Sequence, residues 1–331
     1  MKRVAIAAAL ILVLSFVGWL LSALFLPGGK EQWQVFAVAR GSSMRAVAGQ
    51  LREVKLLSAS GEVAFLAAGG VTGRGRRLQY GRYRFSPTMS AWQMLDYLAA
   101  GKVLTERITI PEGFTVRQIG SMLEERGIGA SGEFLLLASQ ARGNLPSPFP
   151  RDGGSLEGYL FPDTYEIDGR QGARQVMAKM LARFDEVVWN GLFNSRPDPG
   201  KRTLHEIVTL ASLVEGEAKL PAERALIAGV LANRLRQGMR LQCDATVQYA
   251  QGERKARLSL ADLEFPSPYN TYLHAGLPPG PINNPGRASI AAALHPAQTD
   301  FLFYVAKSDG SHIFSRTFTE HRAAIRRLRS R

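Results

Sequence analysis

The stretch from Thr203 to Leu220, TLHEIVTLASLVEGEAKL, is apolar nearly all round a helical projection, through Ile207, Leu210, Ala211, Leu213 and Val214, yet it ends in two carboxylates, Glu215 and Glu217. A helix that is apolar on every side is a buried one. Burial disfavours the ionised form of a carboxyl group, so a glutamate held against apolar walls can keep its proton near neutral pH and donate it. Helical spacing sets Glu215 one turn beyond Ala211 and three residues beyond Ser212, on the face those two share, and turns Glu217 toward Leu210 and Leu213. The competing arrangement leaves both carboxylates solvated at a helix end beside Gly216. Downstream, Leu258 to Gly286 is dense in proline, which sets the backbone without a regular ladder. This run supplies amides and hydroxyls from Asn270, Tyr272, Asn283 and Asn284, and together with Tyr249 it supplies aromatic faces from Tyr269 and Tyr272. Rings and amides together suit a pyranose; the same composition also suits a stiff surface loop.

Other chemistries lack their parts. His205, His274, His295, His312 and His321 form no i, i+4 pair, and no Cys/His cluster has zinc spacing, so no metal is expected. Cys243 is the one cysteine, has no base committed to it and is expected to be inert. No serine sits in a nucleophile elbow, and Gly73, Gly75 and Gly81 are separated by arginines rather than forming a phosphate-cradling loop. No cofactor is expected. The whole chain, 331 residues with 46% apolar, 21% charged and a net charge of +13, is an ordinary globular mixture, which excludes wholesale disorder.

The elements that must position these groups begin with an apolar run. Val4 to Leu26 carries no charge, and its 23 residues at about 1.5 Å each reach roughly 34 Å, enough to cross a bilayer. Bulky Leu24, Phe25 and Leu26 occupy the place where a signal peptide needs small residues, so an anchor is expected rather than a cleaved leader. Lys2 and Arg3 then stay in the cytoplasm and the rest of the chain lies outside it, which excludes nucleic acid as a partner. A basic exterior domain suits anionic headgroups or an acidic polymer, or simply a well-solvated surface.

Beyond the anchor, Met44, Val47, Ala48 and Leu51 predict an amphipathic helix capped by Ser42 or Ser43; Leu78 to Phe85 reads as a strand or hairpin, and Ser90 to Ala99 as a helix. At an offset of 72 residues the pattern partly repeats, with Ser43/Thr115, Met44/Val116, Arg45/Arg117, Val47/Ile119 and Leu51/Leu123 matching in type, and a strand from Glu106 to Gly113 joining the copies. Two copies are too few for a solenoid. Asn144 to Pro150 and Gly153-Gly154 mark a boundary. After it come an aromatic loop at Leu156 to Ile167, a helix over Ala173 to Trp189, the helix of Glu215, a further helix over Ala222 to Arg236, the proline-dense loop, a helix from Ser289, a strand at Phe301 to Lys307, a hairpin turn at Ser308 to Gly310 and a basic C-terminal helix.

Three segments in this order, ASLVEGEAKLPAER (Ala211 to Arg224), LANRLRQGMRLQCDATVQYA (Leu231 to Ala250) and SPYNTYLHAGLPPGPINNPGRASIAAALHPA (Ser267 to Ala297), resemble the endolytic murein transglycosylases of the YceG-like family. The flanking LEGYLFPDTY and FLFYVAKSDGSHIFSRTFTEH look like that family too. The resemblance implies cleavage of the β-1,4 bond between N-acetylmuramic acid and N-acetylglucosamine in nascent peptidoglycan strands, leaving a 1,6-anhydro-muramic end. It implies that Glu215, first glutamate of the A-S-x-V-E-x-E pattern, acts as acid and then base. One carboxyl suffices when the sugar's own C6 hydroxyl is the nucleophile, since no water need be activated. Gln242, Asp244, Tyr249, Asn270 and Tyr272 are candidates to steady the charge on the ring, and Glu217 and Asn284 to help hold the substrate.

The expected fold class is α+β: cytoplasmic residues 1–3, a transmembrane helix over 4–26, a LysM-like module over 30–104, a second small module over 105–150 and a catalytic domain over 151–331, since helices and loops here lack strict βαβ alternation. The implied location is the inner membrane, single-pass, with the catalytic domain periplasmic; the implied partners are glycan strands, the membrane and penicillin-binding proteins. A catalytically idle glycan-binding scaffold is the competing function, and it would lack the acid. A peptidase would need a Ser/His/Asp set, a Cys with its base or a metal cluster.

Overall fold

The computed structural model describes residues 2–140, 149, 154–193 and 202–329. Two compact units divide it, Met1–Arg107 with Glu166–Gln171, and Ile108–Tyr165 with Gly172–Arg331. The expected linker from Asn144 to Gly153 lies outside the described residues, Phe149 excepted.

The first unit opens with α1 (Lys2–Phe25), the one helix among the described residues long and apolar enough to cross a membrane. Its exposed length ends on one buried side chain: Leu24 joins the core, with Leu20 and Ala23 packed against it and the exposed Phe25 ring 5.9 Å from that of Trp92. β1 (Gln34–Val38) is followed by α2 (Met44–Glu53), α3 (Ala59–Val71), β2 (Gly81–Phe85) and α4 (Ala91–Ala100). β1 and β2 pair antiparallel with Phe36 opposite Tyr83, and alternation turns Phe36, Val38, Tyr83 and Phe85 onto the core. Within Leu78 to Phe85 the strand is therefore Gly81–Phe85, with a distant partner rather than a local hairpin. β3 (Thr105–Thr109) pairs with β4 (Thr164–Asp168), and the chain passes between units within these strands. β3 is shorter than the expected strand: Pro111 has no N–H for a ladder, and Gly113, at φ +77°, turns the chain in the left-handed region.

The second unit holds α5 (Val116–Glu125), α6 (Ser131–Ser139), α7 (Ala173–Phe184), α8 (Leu204–Glu217), α9 (Arg224–Arg236), α10 (Asp244–Gln251), α11 (Leu260–Leu263), α12 (Arg287–Leu294), the antiparallel pair β5 (Phe303–Ala306) and β6 (His312–Ser315), and α13 (Phe318–Arg329). The repeated pattern is visible in the backbone. α2 and α5 start and end at the same offset and are capped by Ser43 and Thr115. The helix expected over Ala173 to Trp189 is α7 continued by a π-helix, Asp185–Phe193.

α8 is the spine of this unit. A capping box between Thr203 and Glu206 starts it, and every residue from Ile207 to Val214 is buried, packed by α9, α10 and α12. His205 ties its first turn outward, Nδ1 meeting the Tyr159 hydroxyl at 2.9 Å and Nε2 the Pro279 carbonyl at 3.0 Å. The loop ahead of α12 is fastened to the same helix. Ser212 Oγ accepts from the Ile282 N–H (3.0 Å), and Asn283 Nδ2 donates to the Ser212 carbonyl (2.9 Å).

Candidate active site

The last turn of α8 presents Glu215 with a side chain only 9% exposed, so the solvated alternative does not hold. One oxygen accepts from the Gly286 N–H at 3.1 Å; the other lies 3.6 Å from Arg224 Nη2. Arg224, the first residue of α9, is steadied by donation from Nε to Ser289 Oγ (3.1 Å). Its Nη2 also lies 3.8 Å from Glu112, whose side chain is half exposed. Burial, then the charge of Glu215, pushes the Glu112 carboxyl up, against the pull of Arg224. Gly113 packs over Glu215: a Cβ there would stand 3.5 Å from Glu215 Cγ. Two carboxylates thus share one guanidinium beneath a Pro-Glu-Gly turn.

That turn is held by Asn284. Gly113 N–H donates to the Asn284 carbonyl and Asn284 N–H to the Phe114 carbonyl, each at 2.9 Å. The Asn284 amide accepts from the Leu160 N–H and donates to Phe114 O and to Glu157 Oε1. Glu157, 6% exposed, also accepts from the Val116 N–H at the start of α5 (3.0 Å) and from the Tyr249 hydroxyl (3.4 Å). Burial raises its carboxyl to about 8, although the Val116 N–H opposes the shift. The Leu156 to Gly158 turn can press on α8 because Gly158 has φ +88° and a Cβ there would stand 2.9 Å from Val208.

Glu217 faces a different neighbourhood. Tyr304 of β5 donates to it (3.2 Å), and burial followed by the charge of Asp244 raises its carboxyl to about 7. Asp244 opens α10 and accepts from the Tyr272 hydroxyl at 2.6 Å. Gln242 is exposed, at φ +52°, and its N–H donates to the Thr271 carbonyl. Arg234 fastens both flanks of this group, donating to Leu302 O (2.6 Å) and Leu241 O (2.7 Å). Cys243 is buried between them and its thiol is pushed well up by burial, away from thiolate chemistry.

The structure thus brings together Glu217, Asp244 and Tyr272, joins Tyr249 to Asn284 through Glu157, and sets Glu215 against the Asn284 loop. Two residues expected to reach toward a ring are placed in the wall instead. Asn270 has no exposed surface: its amide donates to Leu263 O and Phe265 O, and its Oδ1 accepts from the Tyr272 N–H. Asn284 is equally enclosed. A loop without a ladder has main-chain groups to satisfy, and these amides do that. Sequence reasoning passed over Glu112, Arg224, Glu157 and Gly286. All but Glu112 lie inside quoted motifs, and Glu112 lies in the strand-ending PEG.

Residues 36–327 match the model of the YceG-like family. The chain belongs to that family. This YceG-like chain is 34% identical to the endolytic murein transglycosylase of Bacillus subtilis strain 168 over 304 residues, covering 87% of the chain and 82% of the relative. It is 32% identical to the Streptococcus pneumoniae R6 protein of the same name, over 74% of the chain, and spans about half (49%) of that longer relative. The crystal structure of a yceG-like protein from Listeria monocytogenes superposes with a TM-score of 0.59 at 30% identity, covering 89% of this chain and all of that one. This chain's mixed α+β architecture, with one N-terminal apolar helix among the described residues, thus has a YceG-like structural neighbour.

Proposed function

We propose that this YceG-like chain is an endolytic murein transglycosylase that cuts the β-1,4 bond between N-acetylmuramic acid and N-acetylglucosamine inside nascent strands and leaves a 1,6-anhydro end. The observation that carries the reading is the setting of Glu215: a carboxyl at the end of a buried helix, with one N–H and one guanidinium as its partners, in a chain whose curated relatives bear that name. In the first step Glu215 gives its proton to the leaving O4, the C1–O4 bond breaks and positive charge develops at C1. In the second, O6 of the same ring bonds to C1 and passes its proton to the Glu215 carboxylate, which restores the acid. Arg224 and the Gly286 N–H hold the carboxylate between the two steps, and Glu112 keeps Arg224 from being wholly committed to it. Asp244, Tyr272, Gln242, Tyr249 and Glu217 line the approach, and Asn270 and Asn284 fix the loops that carry it.

The same reading takes 4–26 as a single-pass inner-membrane anchor with the catalytic part periplasmic, 30–104 as a LysM-like glycan-binding module, 105–150 as a second small module, 151–331 as the catalytic domain, and penicillin-binding proteins as partners. The apolar α1 and the resemblance of the motifs support it. The decisive assay digests uncrosslinked glycan in heavy-oxygen water and reads the new ends by mass spectrometry. Anhydro ends without label are expected; labelled reducing ends would make the protein a hydrolase.

A further inference from the structure

The second unit holds a cavity of about 390 Å³ whose lining includes Glu112 and Arg287. Glu112 shares Arg224 with Glu215, and Arg287 directly follows Gly286, whose N–H binds Glu215, so two lining residues belong to the neighbourhood of that carboxyl although Glu215 itself does not line the cavity. Its charged groups are unevenly committed. Arg183 is fully engaged, with Asp163 and Glu186 each at 2.7 Å, and Glu112 has Arg224. Arg287 is exposed and, among the described residues, has neither an ion-pair nor a hydrogen-bond partner.

We propose that this cavity receives the peptide borne by the muramic acid at the cleaved bond, with Arg287 binding one of the peptide's carboxylates. The inference rests on the transglycosylase reading. With its lactyl carboxyl tied up as an amide the sugar is neutral and offers no charge to an unpaired guanidinium, whereas a peptide carboxylate offers a two-pronged, charge-assisted partner. The lactyl ether that carries the peptide sits on the ring whose C1 is attacked, so the peptide must leave the glycan within one ring of Glu215, and Glu112 and Arg287 link the cavity's lining to that carboxyl's neighbours. Charged lining of both signs suits a substituent that carries carboxylates and an ammonium group along one short chain, and the walls of Phe161 and Val187 can take its methyl groups.

The test uses the full-length chain in detergent and two substrates, uncrosslinked strands with their peptides and the same strands with every peptide carboxylate converted to a primary amide. Unmodified strands should be cut with a kcat/KM about tenfold higher, carried mainly by KM. Arg287→Ala should lower that value about tenfold on unmodified strands and less than threefold on amidated ones, and Arg287→Lys should recover part of the loss. Equal rates of the unmodified protein on both strands, or an equal loss on both in Arg287→Ala, overturns the subsite while leaving the activity standing. If neither strand is cut the activity itself falls, and calorimetry then decides the subsite. Muramyl peptide bound more tightly than the same molecule with its peptide carboxylates amidated, with the difference lost in Arg287→Ala, supports it; equal affinities refute it.

Discussion

Glu157 and Glu215 are both fastened to the loop ahead of α12, Glu157 through the Asn284 amide and Glu215 through the Gly286 N–H. Around Glu157 the neighbours are donors from three chain segments, Val116, Tyr249 and Asn284, and among the described residues it forms no ion pair. Glu215 has one main-chain donor and a guanidinium that it shares with half-exposed Glu112. Both carboxyls are largely withdrawn from water, so depth does not distinguish them. What differs is commitment: one carboxyl is enclosed by groups that fix three segments to each other, the other is held by groups that leave it an exposed edge.

The comparison breaks most sharply at Glu215. Glu215→Gln keeps the shape but has no acidic proton, and turnover on isolated glycan should fall about 10³-fold with an unchanged circular-dichroism spectrum. Glu217→Gln should cost about tenfold or less; a dead Glu217 variant beside an active Glu215 variant would reverse the two roles. Arg224→Ala should lower kcat on the order of thirtyfold by removing the shared cation, with Arg224→Lys intermediate because it keeps the charge and loses the fork. An Arg224→Ala protein of full activity would show that the main-chain N–H alone holds the carboxylate.

At Glu157 the expected effect is on stability. The unfolded carboxyl ionises near its ordinary range and the folded one only near 8, so between those values the folded state binds more protons and stability falls as pH rises. Glu157→Gln should remove that part of the decline, so its melting temperature should gain on the unmodified protein steadily from pH 5 to pH 8. A constant gap would mean the carboxyl is not held protonated. The smallest effect concerns Gly286, where a Cβ would meet the Glu112 carboxylate, the far end of a flexible chain. Gly286→Ala should cost roughly threefold in kcat, and nothing further in a Glu112→Ala background, because relief of a contact is not additive with its removal.

Much of this scaffold is legible in the chain. Ser43 and Thr115 announce matching helices, and the apolar positions of α7 and α8 announce helices with buried faces, because caps and periodicity are local signals. Glu215 is legible for the same reason, as a carboxylate where the pattern demands an apolar residue. Arg224, Glu112 and Gly286 are not: they come from three loop or helix-end positions whose convergence is made by packing, and a charge in a turn has no period. Asn270 and Asn284 are ambiguous for a different reason. An amide among prolines has the same composition whether it faces a ligand or ties down its own backbone, and only the fold decides.

The packing of Leu20, Ala23 and Leu24 at the end of α1 has a mechanical consequence. With Leu24 inside the core, the 24-residue helix, about 36 Å long, cannot act as a slack rope. It is stepped into the first unit like a mast into a hull, so helix and unit pivot as one. If α1 is the anchor proposed above, a thinner hydrocarbon layer makes this long apolar helix lean, and the first unit leans by the same angle. Membrane thickness would then be converted into a swing of whatever that unit grips.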